Sequence, residues 1–484
     1  MFRRITLITV VLCFVFYLGH AQNSWSLEKC IKTAQQNSLM VKQAQYQISG
    51  AELTEKGNKL DRLPTINGRI SAGYQLGRTI DPTTNEFESQ NIGFNSYSFD
   101  VSVPLYTGGR ITNSLKQSKI DLEAAQLDAR ATSNDISLQV ASAYLSILLA
   151  EEQLAAARKR LELSERQLTQ TQKQIEAGTL PVNDRLDFDA QVALDKQTII
   201  EAENLVTINY LNLKQLMVID PGQDISIQKT DVAIPADADP ESFRLNEVFT
   251  AALGTQPQVR ADELRIQSAE LGERIAQAST LPSVFLFGGL NTNYSSVARD
   301  FANANIENAM LVVDESSTEP VLINGTESTL TSYQLVGVEI PDKSFVDQIN
   351  ENFGQNFGVS VNIPIYNNHT NRIAMERAKL NALTAQVNYE QTRQLLRTDV
   401  QRAITDARAA RESYEATQRS VDAAQAAYEN AQKRFDLGAI NSLEFTTARN
   451  TLDRAQVDLI RAKYQYIFNL KIVDFYLGRE LKMD

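Results

Sequence analysis

Two very long stretches without proline or glycine most constrain what this chain can fold into. Residues 110–177 form the first, which ends at Gly178, and residues 371–437 form the second, which ends at Gly438. Isolated helices are only marginally stable in water, so helices of this length need a packing partner along their whole length. At ~1.5 Å per residue each would be roughly 100 Å long. The sequence therefore predicts two long, packed helices.

The spacing of apolar residues indicates how these helices pack. In both stretches a large residue recurs at every seventh position, and a small residue lies between consecutive large ones. This pattern is typical of a coiled coil in which helices approach closely. The large positions are Leu154, Leu161, Leu168 and Ile175 in the first stretch and Tyr414, Val421, Tyr428 and Phe435 in the second; the small ones are Ala157, Ser164 and Thr171, then Thr417, Ala424 and Ala431.

The chain contains an internal duplication. The order helix, strand, loop, strand, long helix, glycine turn and helix occurs twice, and the two copies match at a constant offset from Pro104 and Pro364 to Gly178 and Gly438. We expect a signal peptide at 1–21, a first repeat at 22–219, a linker or equatorial region at 220–240, a second repeat at 241–476 and a short tail at 477–484. The second repeat carries an insertion near 295–350, which we expect to be a polar surface loop.

Shorter helices are predicted at residues 27–63, 184–219 and 245–281. In each repeat the two shorter helices together are about as long as the long helix, so they could stack end to end beside it. A plain antiparallel helix bundle is the alternative, but it leaves the strands unexplained.

Each repeat also contains two stretches in which apolar and polar residues alternate. Such strands suit a transmembrane β-barrel with lipid outside and water inside, or a half-buried sheet in a soluble protein. We favour the barrel, because too little sequence remains to cover the apolar face. Four strands cannot close a barrel and open edges are not tolerated in lipid, so several copies should contribute. Two copies would give eight strands and three would give twelve.

The N-terminus and the composition restrict location and chemistry. Arg3 and Arg4 precede a short apolar run, and Ala21 is a suitable cleavage point, which predicts a secretory signal rather than an uncleaved membrane anchor. The net charge of −12 argues against a nucleic-acid partner. With two cysteines and two histidines in the whole chain, we expect no metal site, no cofactor and no enzymatic activity.

The duplicated order resembles the TolC family of outer-membrane efflux channel proteins. Its most specific marks are the two turns, where Gly178-Thr179 precedes Asp184 and Gly438-Ala439 precedes Glu444, with the acidic residue six positions after the glycine in both. The strand ends Pro-Leu-Tyr at 104–106 and Pro-Ile-Tyr at 364–366 add to the likeness.

The resemblance implies a homotrimer in the outer membrane of a Gram-negative bacterium. Its fold would be mainly α with a small β part: duplicated coiled-coil helices forming an α-helical barrel through the periplasm, and four strands per chain contributing to a trimeric 12-stranded transmembrane β-barrel. The turns would form the periplasmic tip, where Gly178, Thr179, Gly438 and Ala439 dock a periplasmic adaptor of an inner-membrane pump. Arg69 and Asp100 would face the barrel lumen.

Three acidic residues follow the turns closely. Asp184, Asp187 and Glu444 could ring the opening with negative charge, or could serve only as helix caps or first-turn acids. Family members with a locked tip carry a tyrosine and an arginine where this chain has Phe435 and Ile440, so that hydrogen-bonded lock is not expected here. The resemblance implies a passive exit duct of a tripartite efflux or type I secretion system. A periplasmic coiled-coil scaffold without a pore is the alternative.

Overall fold

The computed structural model describes most of the chain: residues 24–80, 87–88, 91–178, 181–228, 234, 239–313, 319–330 and 333–479. The expected signal peptide, Thr179 and the last part of the tail lie outside the described residues.

Helices make up most of the structure. Four of them belong to the first repeat: α1 Leu27–Asn37, α2 Leu39–Leu60, α3 Arg110–Glu176 and α4 Asn183–Met217. Five follow in the second repeat: α5 Leu245–Thr255, α6 Pro257–Ala278, α7 Phe345–Glu351, α8 Thr370–Asp436 and α9 Ser442–Tyr476. None of the described helices has an apolar stretch long enough to cross a membrane.

The long helices α3 and α8 end at Glu176 and Asp436, each one residue before the predicted end. The single helices predicted at 27–63 and 245–281 are wrong, because each is two helices. The second break follows from Pro257, since the residue before a proline is disfavoured in helical conformation, and Gln256 has a ψ of 115°. The first break lies at Ser38, where ψ is 130°.

The ends of the shorter helices contact one another in both repeats. In the first repeat the side chain of Asn37, at the end of α1, donates to the carbonyl of Met217, at the end of α4, over 3.3 Å. In the second repeat Thr255, at the end of α5, donates to the carbonyl of Tyr476, at the end of α9, over 3.2 Å. The duplication therefore extends to the contacts between helix ends.

Two-residue strands fasten the start of the described chain to the region after α4. β1 Ser24–Trp25 pairs in parallel with β6 Ser226–Ile227, inside the stretch expected to be a linker. The Tyr144 hydroxyl donates to the carbonyl of Gln228 over 2.8 Å. Around them lies the main apolar core, which includes the free thiol of Cys30. Burial raises the pKa of Cys30 to about 12, so this thiol is protonated at physiological pH.

One antiparallel sheet contains the four predicted strands. Numbered with the shorter strands in chain order, they are β2 Thr65–Gln75, β5 Ile92–Thr107, β7 Ser283–Ser295 and β12 Gly354–Asn362. The short strands β3 Thr79–Ile80 and β4 Phe87–Glu88 pair with each other. Their order is β12-β7-β5-β2, so the two repeats meet in the middle of the sheet and β2 and β12 form its edges.

The insertion in the second repeat is not the polar loop that the sequence predicts. It contains the paired strands β8 Met310–Val313 and β11 Tyr333–Val336, the hairpin β9 Glu319–Ile323 and β10 Thr326–Leu330, and helix α7. Met310 and Leu311 are exposed although they are apolar. These strands are only four or five residues long, which is too short for an apolar pattern to separate a strand from a loop.

By its contacts the chain divides into two units. One is helical and comprises residues 24–55, 116–272 and 377–479 among those described; the other contains the sheet and comprises residues 56–115 and 273–376. Both repeats contribute to each unit. In the helical unit α3 and α8 pair with their return helices, and in the other unit the strand pairs of the two repeats join in one sheet.

Candidate functional site

Both turns of the helical unit depend on a glycine in left-handed conformation. Gly178 has a φ of 77° and Gly438 a φ of 71°. After α8 the amide of Gly438 donates to the carbonyl of Phe435 over 2.9 Å, and the amide of Ala439 to that of Arg434 over 2.8 Å. These two bonds form a Schellman motif, which ends a helix and lets the chain reverse. Gly178, Gly438 and Ala439 are exposed.

The helices after the turns begin differently. The side chain of Asn441 caps α9 and accepts from the amide of Glu444 over 2.9 Å. Helix α4 begins after Val182, which supplies no side-chain cap. Asp184 therefore does not cap this helix, so one of the two predictions for it is wrong. The other prediction is correct, because Asp184 and Glu444 both lie in first turns, where a carboxylate interacts favourably with the helix dipole.

The acidic residues of the first turn contact the second repeat. The hydroxyl of Ser442 donates to Oδ2 of Asp187 over 2.7 Å. Oδ1 of Asp184 lies 3.3 Å from the same Ser442 Oγ. Glu444 is exposed and lies two residues beyond Ser442. The structure therefore brings the starts of α4 and α9, and with them the three predicted acidic residues, to one end of the helical unit.

Beneath the turns an aromatic cluster joins the repeats. Phe188, Phe435 and Phe445 are nearly fully buried. The rings of Phe435 and Phe445 stack with centroids 5.0 Å apart, and Phe188 packs edge-on against Phe435 at 6.0 Å. Ile440 packs against the same cluster. Phe435 and Ile440, the two departures from the family pattern, thus contribute apolar contacts where a tyrosine and an arginine would form polar ones.

Among the heptad positions predicted for α3, the small residues are buried more deeply than the large ones. Ala157, Ser164 and Thr171 are at most 6% exposed, whereas Leu161 and Leu168 are half-buried in a single chain. Small side chains at these positions let the neighbouring helices approach this part of α3 closely.

Arg69 and Asp100 lie on one face of the sheet, as predicted. Asp100 is directly opposite Asn67 on the neighbouring strand, and Arg69 is opposite Ser98, so the two charged residues are diagonal neighbours. No ion pair joins Arg69 and Asp100 among the described residues. Asp100 instead approaches Gly289 on the other side, together with the Asn356 side chain. The described residues contain no cluster of histidine, cysteine and acidic side chains that could hold a metal ion.

No local pattern in the sequence indicates Ser442, which links the two turns. Its counterpart in the first repeat is Val182, so a polar residue stands where the other repeat has an apolar one. Comparing the repeats position by position is the signal that could have identified it.

Comparisons with known proteins agree with this architecture. A family model described as outer membrane efflux protein matches residues 30–217 and 345–479, more than half of the chain. The chain is 23% identical over 214 residues to outer membrane protein TolC of Salmonella enteritidis, and this alignment spans 44% of each protein, less than half of the relative's length. It is 22% identical over 446 residues to the probable outer membrane lipoprotein SilC of Salmonella typhimurium, covering 90% of this chain and 82% of SilC.

A solved structure shares the fold. The outer membrane protein VceC of Vibrio cholerae superposes with a TM-score of 0.70 at 15% identity, covering 94% of this chain and 96% of VceC. The predicted fold class, mainly α with a small β part, is therefore confirmed, and so are the predicted family and the outer-membrane location. The chain belongs to the outer membrane efflux protein family.

Proposed function

We propose that this protein is a passive exit duct of a tripartite efflux or type I secretion system. Three copies would form a tunnel from the outer membrane through the periplasm, and an inner-membrane pump would supply the energy. No catalytic role is assigned to any residue. The observation that carries the proposal is the meeting of both helix turns and their three acidic residues at one end of the helical unit.

The edges of the sheet support assembly from several copies. β2 and β12 each pair on one side only within the described chain, and exposed strand edges readily pair with another chain. Three sheets joined edge to edge would give a closed sheet of twelve strands. Apolar side chains such as Ile66, Ile70 and Tyr74 are exposed on one face of β2, which suits a surface in contact with lipid.

The helical unit has a second surface that requires cover. Leu39, Tyr46 and Leu53 recur at every seventh residue of α2, and each is at least 68% exposed in a single chain. A heptad stripe of this kind packs against another helix in a coiled coil. We assign it to a neighbouring copy in the trimer.

The turns would form the periplasmic end of the duct. Exposed backbone at Gly178, Gly438 and Ala439, together with Thr179, would dock a periplasmic adaptor. Three copies of Asp184, Asp187 and Glu444 would surround the opening and favour cations. Asp100 and Arg69 would line the wider passage through the sheet.

Native mass spectrometry of protein extracted from outer-membrane fractions tests this assembly. We expect extraction to require detergent and the released protein to be a trimer. A monomer that is recovered without detergent would contradict the proposal and favour the periplasmic scaffold.

A further inference from the structure

Arg449 is a buried arginine that links the two repeats. It lies on α9 and is only 4% exposed. Its Nη2 donates to Ser164 Oγ over 2.6 Å and to the carbonyl of Arg160 over 2.8 Å, and both acceptors belong to α3 of the first repeat. A buried guanidinium is costly unless it is hydrogen-bonded and paired with an anion, so these contacts are required for α9 to pack here.

The anion is provided by the other helix of the first repeat. Asp195, on α4, is 1% exposed and accepts hydrogen bonds from the Ser164 hydroxyl and from Gln191, the latter over 3.0 Å. Its carboxylate lies 3.0 Å from Nε of Arg160 and 3.7 Å from Nη2 of Arg449. The buried network therefore joins three helices, α3, α4 and α9.

A second aspartate completes the network. Asp453 lies one turn after Arg449 on α9, and its Oδ2 is 3.9 Å from Nε of both Arg449 and Arg160. Two arginines thus face two aspartates. We call these residues, with Ser164 and Gln191, the Arg449 network.

In the second repeat the long helix α8 packs against its return helix α9 without the serine and the aspartate of the first repeat. At the constant offset of the duplication, Ala424 corresponds to Ser164 and Ala455 corresponds to Asp195. These two alanines pack with Leu452 in a small apolar cluster between α8 and α9. Packing a long helix against its return helix does not require a serine and an aspartate here. In the first repeat Asp195 pairs with Arg160 of the same repeat and with Arg449 of the second, and Ser164 accepts from Arg449.

Among the described residues, two further contacts join the repeats near the turns. Ser442 meets Asp187 at the start of the helices, and the aromatic cluster of Phe188, Phe435 and Phe445 follows. Arg449 lies two turns beyond Ser442, at about 10 Å along α9. Apolar rings can slide past each other, whereas the Arg449 hydrogen bonds have fixed directions and break if α9 shifts along α3.

We propose that the Arg449 network fastens α9 to the first repeat, so that the two turns of one chain move together as one body. Any change in the opening that the turns surround then takes place between copies and not between the two hairpins of one copy. The inference rests on the proposed function in one respect, namely that the turns surround an opening. The contacts that carry it lie within a single chain.

Distances between spin labels test the proposal directly. Exposed Glu176 and Asp436, at the ends of α3 and α8, are replaced by labelled cysteines in a Cys30→Ala background. Doubly labelled chains are diluted with unlabelled ones, so that the distance within one copy is measured in detergent. We expect one narrow distance distribution for the chain with the intact network.

The decisive variant gives the first repeat the two alanines of the second, by Ser164→Ala with Asp195→Ala, and adds Arg449→Leu. It removes every directional contact of Arg449 without leaving a buried charge from Arg449 or Asp195, and it should give a broader distribution. Arg449→Lys keeps the charge but not the forked geometry, and should also broaden it. Arg461→Leu is the matched control, because Arg461 is exposed on the same helix and pairs only with Asp458 there.

Distributions as narrow in both network variants as in the control would overturn the proposal. If the triple variant does not assemble, Arg449→Lys decides alone. Failure of the proposed function is separate, because a protein that conducts no ions in a lipid bilayer can still show the narrow distance within each chain.

Discussion

The hydroxyl of Ser442 donates a 2.7 Å hydrogen bond to Asp187, which joins two residues 255 positions apart in the chain. Ser442 opens the last helix and Asp187 lies in the helix after the first turn. Since Ser442 is 4% exposed, the bond is shielded from water on the side of the serine. It holds the two glycine turns beside each other.

Replacing Ser442 by alanine should lower stability modestly. A net contribution of about 1 kcal/mol is typical of one such hydrogen bond, and Asp187 is exposed enough to be hydrated when the bond is lost. Thermal unfolding of detergent-solubilised protein measures the change. Thr447→Ala is the control, because that hydroxyl is exposed and bonds only within its own helix. Equal melting temperatures for the two variants would contradict the role given to Ser442.

The aromatic cluster should contribute much more. Phe445 is 1% exposed and contacts the rings of Phe188, Phe435 and Tyr428. Phe445→Ala should cost about 3–5 kcal/mol, because it removes buried surface and leaves a cavity. Leu443→Ala, two residues away and 70% exposed, should change stability by less than about 0.5 kcal/mol. The two variants unfolding at the same temperature would show that the cluster is not a core.

Local signals explain which parts of the fold could be predicted. The long helices α3 and α8 lack proline and glycine and end at left-handed glycines, so their ends were predicted to within one residue. The break before Pro257 had a signal in the sequence that the apolar pattern obscured. The break at Ser38 had no such signal, because neither proline nor glycine lies at or next to it.

The contacts between repeats could not be predicted in the same way. Arg449 and Ser164 are 285 positions apart, and nothing local to either residue indicates the other. On a helix with a heptad pattern, the sequence does not distinguish a buried arginine from an exposed one. Only the difference between the repeats, Ser164 and Asp195 against Ala424 and Ala455, marks the place where another element must supply a partner.

Asp453 makes stability depend on pH in the acidic range. Burial raises its pKa above the ordinary value for aspartate, and Arg449 and Arg160 offset this only in part. Between the unfolded and folded pKa values the folded chain binds a proton that the unfolded chain does not. The contribution of Asp453 to stability is therefore present at low pH and is lost as the pH rises through the folded pKa.

The Asp453→Asn variant tests this sign, since asparagine does not titrate. The melting temperature of the unmodified protein minus that of the variant should fall as the pH is raised from about 4, near the unfolded pKa, towards neutral. Other carboxylates affect both proteins equally and cancel in the difference. A difference that rises with pH would show that the arginines outweigh burial.

Neutralising the acidic residues at the turns should change ion preference and leave the fold intact. In the set Asp184→Asn, Asp187→Asn and Glu444→Gln the side chains keep their size, and asparagine at 187 still accepts from Ser442. Under a salt gradient the reversal potential should shift towards that of an unselective pore. The control set, Glu162→Gln with Glu165→Gln and Glu203→Gln, removes the same charge from exposed surface pairs. An unchanged reversal potential would show that these acidic residues do not set the ion selectivity, which would then have to come from residues of the sheet such as Asp100.

The central claim is that copies of this chain enclose a continuous passage. Single-channel recording of the purified trimer in planar lipid bilayers tests it most directly. The account predicts stepwise current increases of uniform size, in the absence of any pump, adaptor or nucleotide. Trimers that insert into the bilayer and give no current steps at any voltage or salt concentration would contradict it.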